Sequence, residues 1–303
     1  MIIHVRATMN RYDIVFMGNM CTATIVRFEG PTFIERGGPA FFGPLAASCL
    51  AKKMAVVTKM SNSEDPLMVP LKAAGVDLYL QPGETSEIRC VHHSANVDER
   101  QMFMTKRSGY FHVEDLPPIE PCLIHLGGLS DHEFSMEFIK SLKARGFRLS
   151  ADMQSFIWHV DEQTREIQPE DIPEKREILR MLDFVKLDVS EAKALTGTDD
   201  VQKQAELLEN MGSTETVITS SYGPLARSKG KNYFAKFTNK TVLGRAGRGD
   251  TFSGAYLARR LDHSIEDSLG FAAALTSIKI ESAGPFNGSL EDVLERMLET
   301  SRP

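Results

Sequence analysis

The chain has 303 residues, 42% of them hydrophobic, with a formal net charge of −6 and a pI near 5.8. That apolar content supports a large core, in one domain or one plus a small appendage. The acidic balance argues against a general nucleic-acid binder, which needs a basic face. No apolar run approaches the roughly 18 residues of a spanning helix, so no membrane partner is expected. The opening MIIHVRATMNRYD is too polar for a secretory signal. The four cysteines (Cys21, Cys49, Cys90, Cys122) are far apart with no C-x-x-C pair, which reads as reduced thiols in a cytoplasmic protein without zinc.

In chain order, Asp13 to Gly18 reads as a buried strand, Pro39 to Lys53 as a helix and Met54 to Lys59 as a strand. Asp65 to Ala74 is helical in pattern, Val76 to Leu80 and Cys122 to Leu126 strand-like, Asp131 to Arg145 helical and Phe147 to Ala151 a strand. The unit repeats at Phe184 to Leu187 and Ser190 to Thr196, followed by a strand at Thr216 to Thr219. Helices are predicted at Asp250 to Leu261, Ile265 to Glu281 and Leu290 to Leu298. Alternating strands and helices imply a mostly parallel sheet covered on both faces, with ligands beyond the carboxyl ends of its strands. Two stretches break the alternation. Thr24 to Arg36 carries Gly30 and Pro31, and Ser86 to Arg107 has two strand-like runs around an Asn-Val-Asp-Glu turn. They read as one small sheet projecting from the main body.

The segment Gly244 to Tyr256, GRAGRGDTFSGAY, carries the chemistry. Glycines crowd a turn that runs straight into a helix. The first helical turn has amides without intrahelical partners and sits at the positive end of the dipole, so it suits a phosphate. Asp250 at the rim would repel that phosphate. It makes sense as a general base that takes the proton of an attacking hydroxyl.

This segment resembles the C-terminal signature of the ribokinase-like, PfkB-type carbohydrate kinases, roughly D-T-x-G-A-G-D-x-F-x-G-G. Gly247, Gly249, Asp250, Phe252 and Gly254 stand in its places. The resemblance implies a three-layer α/β sandwich over residues 1–303 as one domain. A small β-lid would come from about 24–36 and 86–108. It implies Asp250 as base, with Gly247, Arg248 and Gly249 completing an anion hole. The substrates would be ATP with Mg²⁺ and a small alcohol such as a sugar, cyclic polyol or nucleoside. The lid edge offers a route to a homodimer.

Three further places carry the resemblance. Gly37-Gly38 matches the pair where lid meets sheet, although by itself it is equally an ordinary helix start with Pro39 at the first position. Asp188-Val-Ser-Glu191 stands where the family has Asn-x-x-Glu, implying contacts to the nucleotide phosphates and, for Glu191, to magnesium through water. The same spacing also makes a capping box. Thr219 and Gly223 lie in the family's nucleotide loop, and Asn287 beyond Ala272 to Gly284 lies on its adenine side.

Departures bear on the substrate. Ala23 stands where the family usually has an acid after the first strand, and Phe41 and Phe42 lie where it often has an asparagine. Gly244 and Ala246 replace an Asp and a Thr found near a monovalent-cation site in many members, Ser221 replaces a glycine, and Arg248 replaces the usual alanine. Candidate substrate contacts are therefore Asn19, Thr22, Gly37, Gly38, Phe42 and Arg107. The lid strands also offer Arg27, Glu35, Arg89, His92 and Met104, of which alternation lets about half face the cleft. An aromatic floor with few acids suits a neutral ring-containing alcohol. The alternative is a nucleotide-binding regulatory relative without kinase activity, which the departures favour and the retained Asp250 disfavours.

Overall fold

The computed structural model describes residues 9–62, 65–95 and 99–300. The predicted Asn-Val-Asp-Glu turn lies largely outside them. In chain order the elements begin with β1 (Ile14–Gly18), β2 (Cys21–Val26), β3 (Phe33–Gly37), α1 (Pro39–Ala47), β4 (Met54–Lys59) and α2 (Met68–Ala73). There follow β5 (Asp77–Gln81), β6 (Ser86–His92), β7 (Arg100–Lys106), β8 (Leu123–Gly127), α3 (Met136–Ala144) and β9 (Arg148–Asp152). Next come α4 (Gln154–Ile157), β10 (Trp158–Val160), β11 (Ile167–Pro169), α5 (Lys175–Met181), β12 (Phe184–Asp188) and α6 (Val189–Thr196). The chain closes with α7 (Val201–Met211), β13 (Thr216–Thr219), β14 (Pro224–Ser228), β15 (Lys231–Phe234), α8 (Arg248–Arg260), α9 (Ile265–Ile280) and α10 (Leu290–Thr300).

Nine strands form the main sheet in the order β15-β14-β13-β12-β9-β8-β1-β4-β5. The seven from β13 to β5 run parallel, and β14 and β15 add an antiparallel edge. β1 shows why the sheet is covered twice. All five of its residues are buried, with Ile14 and Phe16 in one core and Val15 and Met17 in the other. A strand buried on both faces reads as a continuous apolar run. The first core takes Phe41 of α1, Tyr256 of α8 and Phe271 of α9. The second takes Phe138 of α3, Leu179 of α5 and Leu208 of α7.

The small sheet has the order β3-β2-β6-β7. The chain leaves the main sheet after Gly18, makes the β2–β3 hairpin and returns at Gly37 into α1. The β10–β11 hairpin braces this sheet through a bridge between Phe103 and Glu166 and a small core of Ile88, Met104, Val160 and Ile167.

Several predicted boundaries shift for local reasons. The first helix ends at Ala47 rather than Lys53. The hydroxyl of Ser48 bonds back to the Leu45 carbonyl, and Ala51 turns the chain with φ 51°. The helix predicted from Asp131 starts at Met136, where Ser135 accepts from the Phe138 amide at 3.1 Å. β2 begins at Cys21, three residues before the predicted lid boundary. The β14–β15 hairpin, α5 and α7 were not predicted. Their signals were present in Lys229-Gly230, both with positive φ in a two-residue turn, and in the Asp200 cap of α7.

Candidate active site

A cavity of about 700 Å³ opens between the small sheet and the carboxyl ends of the main strands. One wall is the turn from Gly244 to Asp250. Gly247 caps α8 at φ 69°, and a Cβ there would lie 2.2 Å from the Phe42 ring, so only glycine fits. Arg248, Gly249 and Asp250 are then the first three residues of the helix. The Arg248 amide donates to the Arg245 carbonyl at 3.2 Å. The opening amides of Gly249 and Asp250 belong to the turn whose N–H groups have no intrahelical acceptor.

The floor comes from strand ends. Asp152 closes β9, Lys186 lies in β12, and the two form a buried ion pair at 2.7 Å. Burial works against the Lys186 charge, but Asp152, Glu191 and Asp188 outweigh it and hold the ammonium charged. Asp250 shares this floor. Burial first, and then the Asp152 charge, push its carboxyl up to about 7, while Lys186 and Lys279 pull the other way. A helix N-terminus would by itself favour the carboxylate; here desolvation and the neighbouring acid win.

Asp188 and Glu191 complete the capping box. The Asp188 carboxylate accepts from the Ser190 and Glu191 amides, and Glu191 Oε2 accepts from the Asp188 amide at 2.7 Å. Glu191 Oε1 also accepts from Trp158 Nε1 at 2.8 Å. Burial raises the Glu191 carboxyl to about 8 against the pull of Lys186. Both residues nevertheless line the cavity beside Asp152 and Thr219. Among the described residues no three His, Cys, Asp or Glu side chains gather as a metal-holding group. The donor set therefore fits a magnesium that keeps its waters and arrives on phosphate oxygens, not a dedicated protein cage.

The predicted contacts divide. Gly37, Gly38, Phe42, Asp188, Glu191, Thr219 and Gly247 to Asp250 line one cavity. Asn19, Thr22, Arg107, Gly223 and Asn287 do not. Thr22 alternates with Cys21 and Ala23, which take the cavity face of β2. Arg107 is held away by Glu162 at 2.9 Å and by the Val160 carbonyl. Asn19 is fully buried, near enough to Glu133 to favour its carboxylate without meeting hydrogen-bond geometry. Gly223 closes the β13–β14 turn, where an added Cβ would meet the Ala235 carbonyl, and Asn287 is exposed.

On the small sheet, Ala23, Ile25, Glu35, Ile88, Cys90 and Met102 make a largely apolar cavity face, with Arg27 and His92 beyond them. Arg89 and Met104 lie outside it. Ala23 pairs directly with Glu35, so a carboxyl stands across from the position where the acid is missing. Burial raises the Glu35 carboxyl and Lys279 lowers it. Asp152 and Lys186 went unnoticed in the sequence. Their signal was position, at the carboxyl ends of two predicted parallel strands.

A parallel sheet with helices on both faces, a small β-lid and a glycine turn carrying an acid at a helix start define a ribokinase-like kinase. A family model for pfkB family carbohydrate kinases matches residues 159–292. The chain is 23% identical over 254 residues to a cytidine kinase of Thermococcus kodakarensis, spanning 81% of this chain and 87% of that protein. A pyrophosphate-dependent kinase in the ribokinase family, solved with a pyrophosphate analogue and myo-inositol, aligns with a TM-score of 0.84. It is 29% identical, over 93% of this chain and 99% of that one. A ribokinase of Arabidopsis thaliana complexed with ribose and ATP shares the fold, with a TM-score of 0.69 and 16% identity over 95% of this chain and 99% of that one. Residues 159–292 match the pfkB carbohydrate-kinase family model, and the fold of the whole chain is ribokinase-like. The chain is a phosphotransferase with an alcohol group as acceptor, a sugar or nucleoside kinase in the broad sense. No helix among the described residues is long and apolar enough to cross a membrane.

Proposed function

We propose that the protein transfers a phosphoryl group from ATP to a hydroxyl of a neutral, ring-containing alcohol, with Asp250 as general base. The observation that carries this reading is the place of Asp250 on the cavity wall, in the opening turn of α8 beside the helix-opening amides, where burial raises the carboxyl to about 7. A base poised near the working pH combines adequate ionisation with adequate basicity. The acceptor oxygen attacks phosphorus, its proton passes to Asp250, and the bond from phosphorus to the leaving phosphate oxygen breaks. The amides of Gly249 and Asp250, with Arg248, stabilise the charge on the transferred group. Magnesium, when bound on the donor phosphates beside Asp188 and Glu191, neutralises charge.

The small sheet serves as the lid over the acceptor. Its apolar face of Ala23, Ile25, Ile88 and Met102 suits the face of a ring, and Glu35 offers a carboxyl to ring hydroxyls in place of the acid missing at Ala23. Phe42 supports the turn from below and lines the same cavity.

Pyrophosphate as donor is the second reading. Gly223 and Asn287, assigned to the nucleotide, lie outside the cavity, whereas Arg245 and Arg248 line it. A similar structure at 29% identity is described as pyrophosphate-dependent. The test is a matrix of magnesium with ATP or pyrophosphate against cyclic polyols, pentoses, nucleosides, sugar acids and sugar phosphates. Turnover of a ring alcohol with ATP supports the first reading, and turnover with pyrophosphate alone the second. Turnover confined to sugar acids or sugar phosphates would sink the acceptor assignment.

A further inference from the structure

Lys279 lies near the end of α9 with 1% of its surface exposed. Its ammonium donates to the Gly244 carbonyl at 2.7 Å and to the Ala246 carbonyl. Those carbonyls belong to the loop that enters the Gly247 cap of α8. The Nζ also lies 5.2 Å from the centroid of the Phe42 ring, the ring that packs against Gly247. One cation thus touches the loop before the phosphate turn and the aromatic support beneath it.

A neutral donor could satisfy the same two carbonyls without the cost of burying a charge. The charge itself is what the site retains. Burial pulls the Lys279 pKa down to about 8, Glu35 and Asp250 hold it up, and Arg248 pushes it down again. The group therefore stays mostly protonated at neutral pH. Two backbone carbonyls and an aromatic face are ligands that would equally suit a dehydrated monovalent cation. Gly244 and Ala246 supply no side-chain oxygen with which to complete such an ion's shell.

We propose that Lys279 is a built-in cation: its ammonium takes, between the Gly244 and Ala246 carbonyls, the place of a bound potassium ion and holds the phosphate turn in working geometry. Lys279 is a positioning residue, since it acts through the turn. The catalytic consequence rests on the kinase reading above. Cation binding does not, and the two can be tested apart.

The experiment measures thermal midpoint and turnover at constant ionic strength, with tetramethylammonium replaced in steps by K⁺ or NH₄⁺. Wild type is expected to be indifferent in both readouts. Lys279→Ala opens the site, so K⁺ or NH₄⁺ should raise its thermal midpoint saturably, as for any ligand that binds only the folded state, and restore part of its turnover. Lys279→Met fills the same space without charge and should gain nothing from either ion. A merely structural lysine would give no ion-specific rescue in Lys279→Ala, and that result overturns the proposal. Wild type that needs K⁺ for turnover or gains thermal stability from it overturns the proposal even if neither variant folds. If no acceptor is turned over at all, the kinase reading fails while the thermal midpoints still decide the cation site.

Discussion

The Asp152 carboxylate and the Lys186 ammonium meet at 2.7 Å directly beneath Gly249, whose missing Cβ would lie 2.9 Å from the Lys186 nitrogen. The ion pair and the turn therefore constrain each other. Lys186 stays charged because three acids surround it, and that charge in turn moderates the repulsion between Asp152 and Asp250. Lys186→Met leaves Asp152 buried without its partner and is expected to cost about 3–5 kcal/mol. Adding Asp152→Leu should recover much of that loss in chemical denaturation, because neither charge then remains.

Asp250→Asn preserves shape but removes the proposed proton acceptor. Turnover should fall by about a hundredfold or more, with donor affinity nearly unchanged in a titration. The same variant should be more stable than wild type at pH 8. The sign follows from linkage: the folded carboxyl titrates near 7 and the unfolded one near its ordinary 3.8, so the folded state holds a proton the unfolded state has lost. Wild-type stability from this group is greatest at low pH and declines as pH rises through that window. The advantage of asparagine should therefore shrink toward pH 4, as thermal midpoints across pH would show.

The pH dependence of kcat/KM should have an acid limb with a midpoint near 7, the value to which burial and Asp152 raise Asp250. Activity should be lost as pH falls, since a carboxylate acting as the proposed base must be ionised. Asp152→Asn removes one of the raising causes and should move the limb to lower pH. A limb that stays in place would show that another group titrates.

Gly249→Ala introduces a methyl group 2.9 Å from the Lys186 nitrogen, which would have to shift within its ion pair with Asp152. Overpacking of this kind costs about 1–3 kcal/mol. Turnover should drop further than stability predicts, because the turn proposed to hold the phosphate moves as well. Kinetics and melting curves on one preparation separate the two effects.

Arg248 lines the cavity at the first position of α8. If its guanidinium bonds the donor phosphates, Arg248→Ala should weaken donor binding or slow transfer by about 1.5–3 kcal/mol, the range for a charged hydrogen bond. Unchanged kinetics in that variant would place the side chain in solvent during the reaction.

Much of the architecture was legible because its signals are local. The strands Met54–Lys59 and Thr216–Thr219 fall at their predicted limits, and α8 and α9 within two residues of theirs. Continuous apolar runs, caps and a glycine turn depend on neighbours in sequence. Two helix limits were less legible, the start predicted at Asp131 and the end predicted at Lys53. At Asp131 a short turn and irregular chain precede Ser135, whose capping hydroxyl, not the first polar residue, sets the helix start.

The sequence by itself determined the ribokinase-like resemblance, the glycine turn and the acid that follows it, since Gly247, Gly249 and Asp250 depend on backbone conformation and chain adjacency. Tertiary structure decided what surrounds that acid. Asp152, Lys186 and Lys279 come from β9, β12 and α9, and only folding brings their charges near Asp250. It also decided which side of each lid strand faces the cavity, sending Ala23 and Glu35 to it and leaving Thr22 out. The reason is physical: a pKa and a binding face depend on burial and on charges within a few ångströms in space, and those distances do not exist until the sheet and its helices have packed.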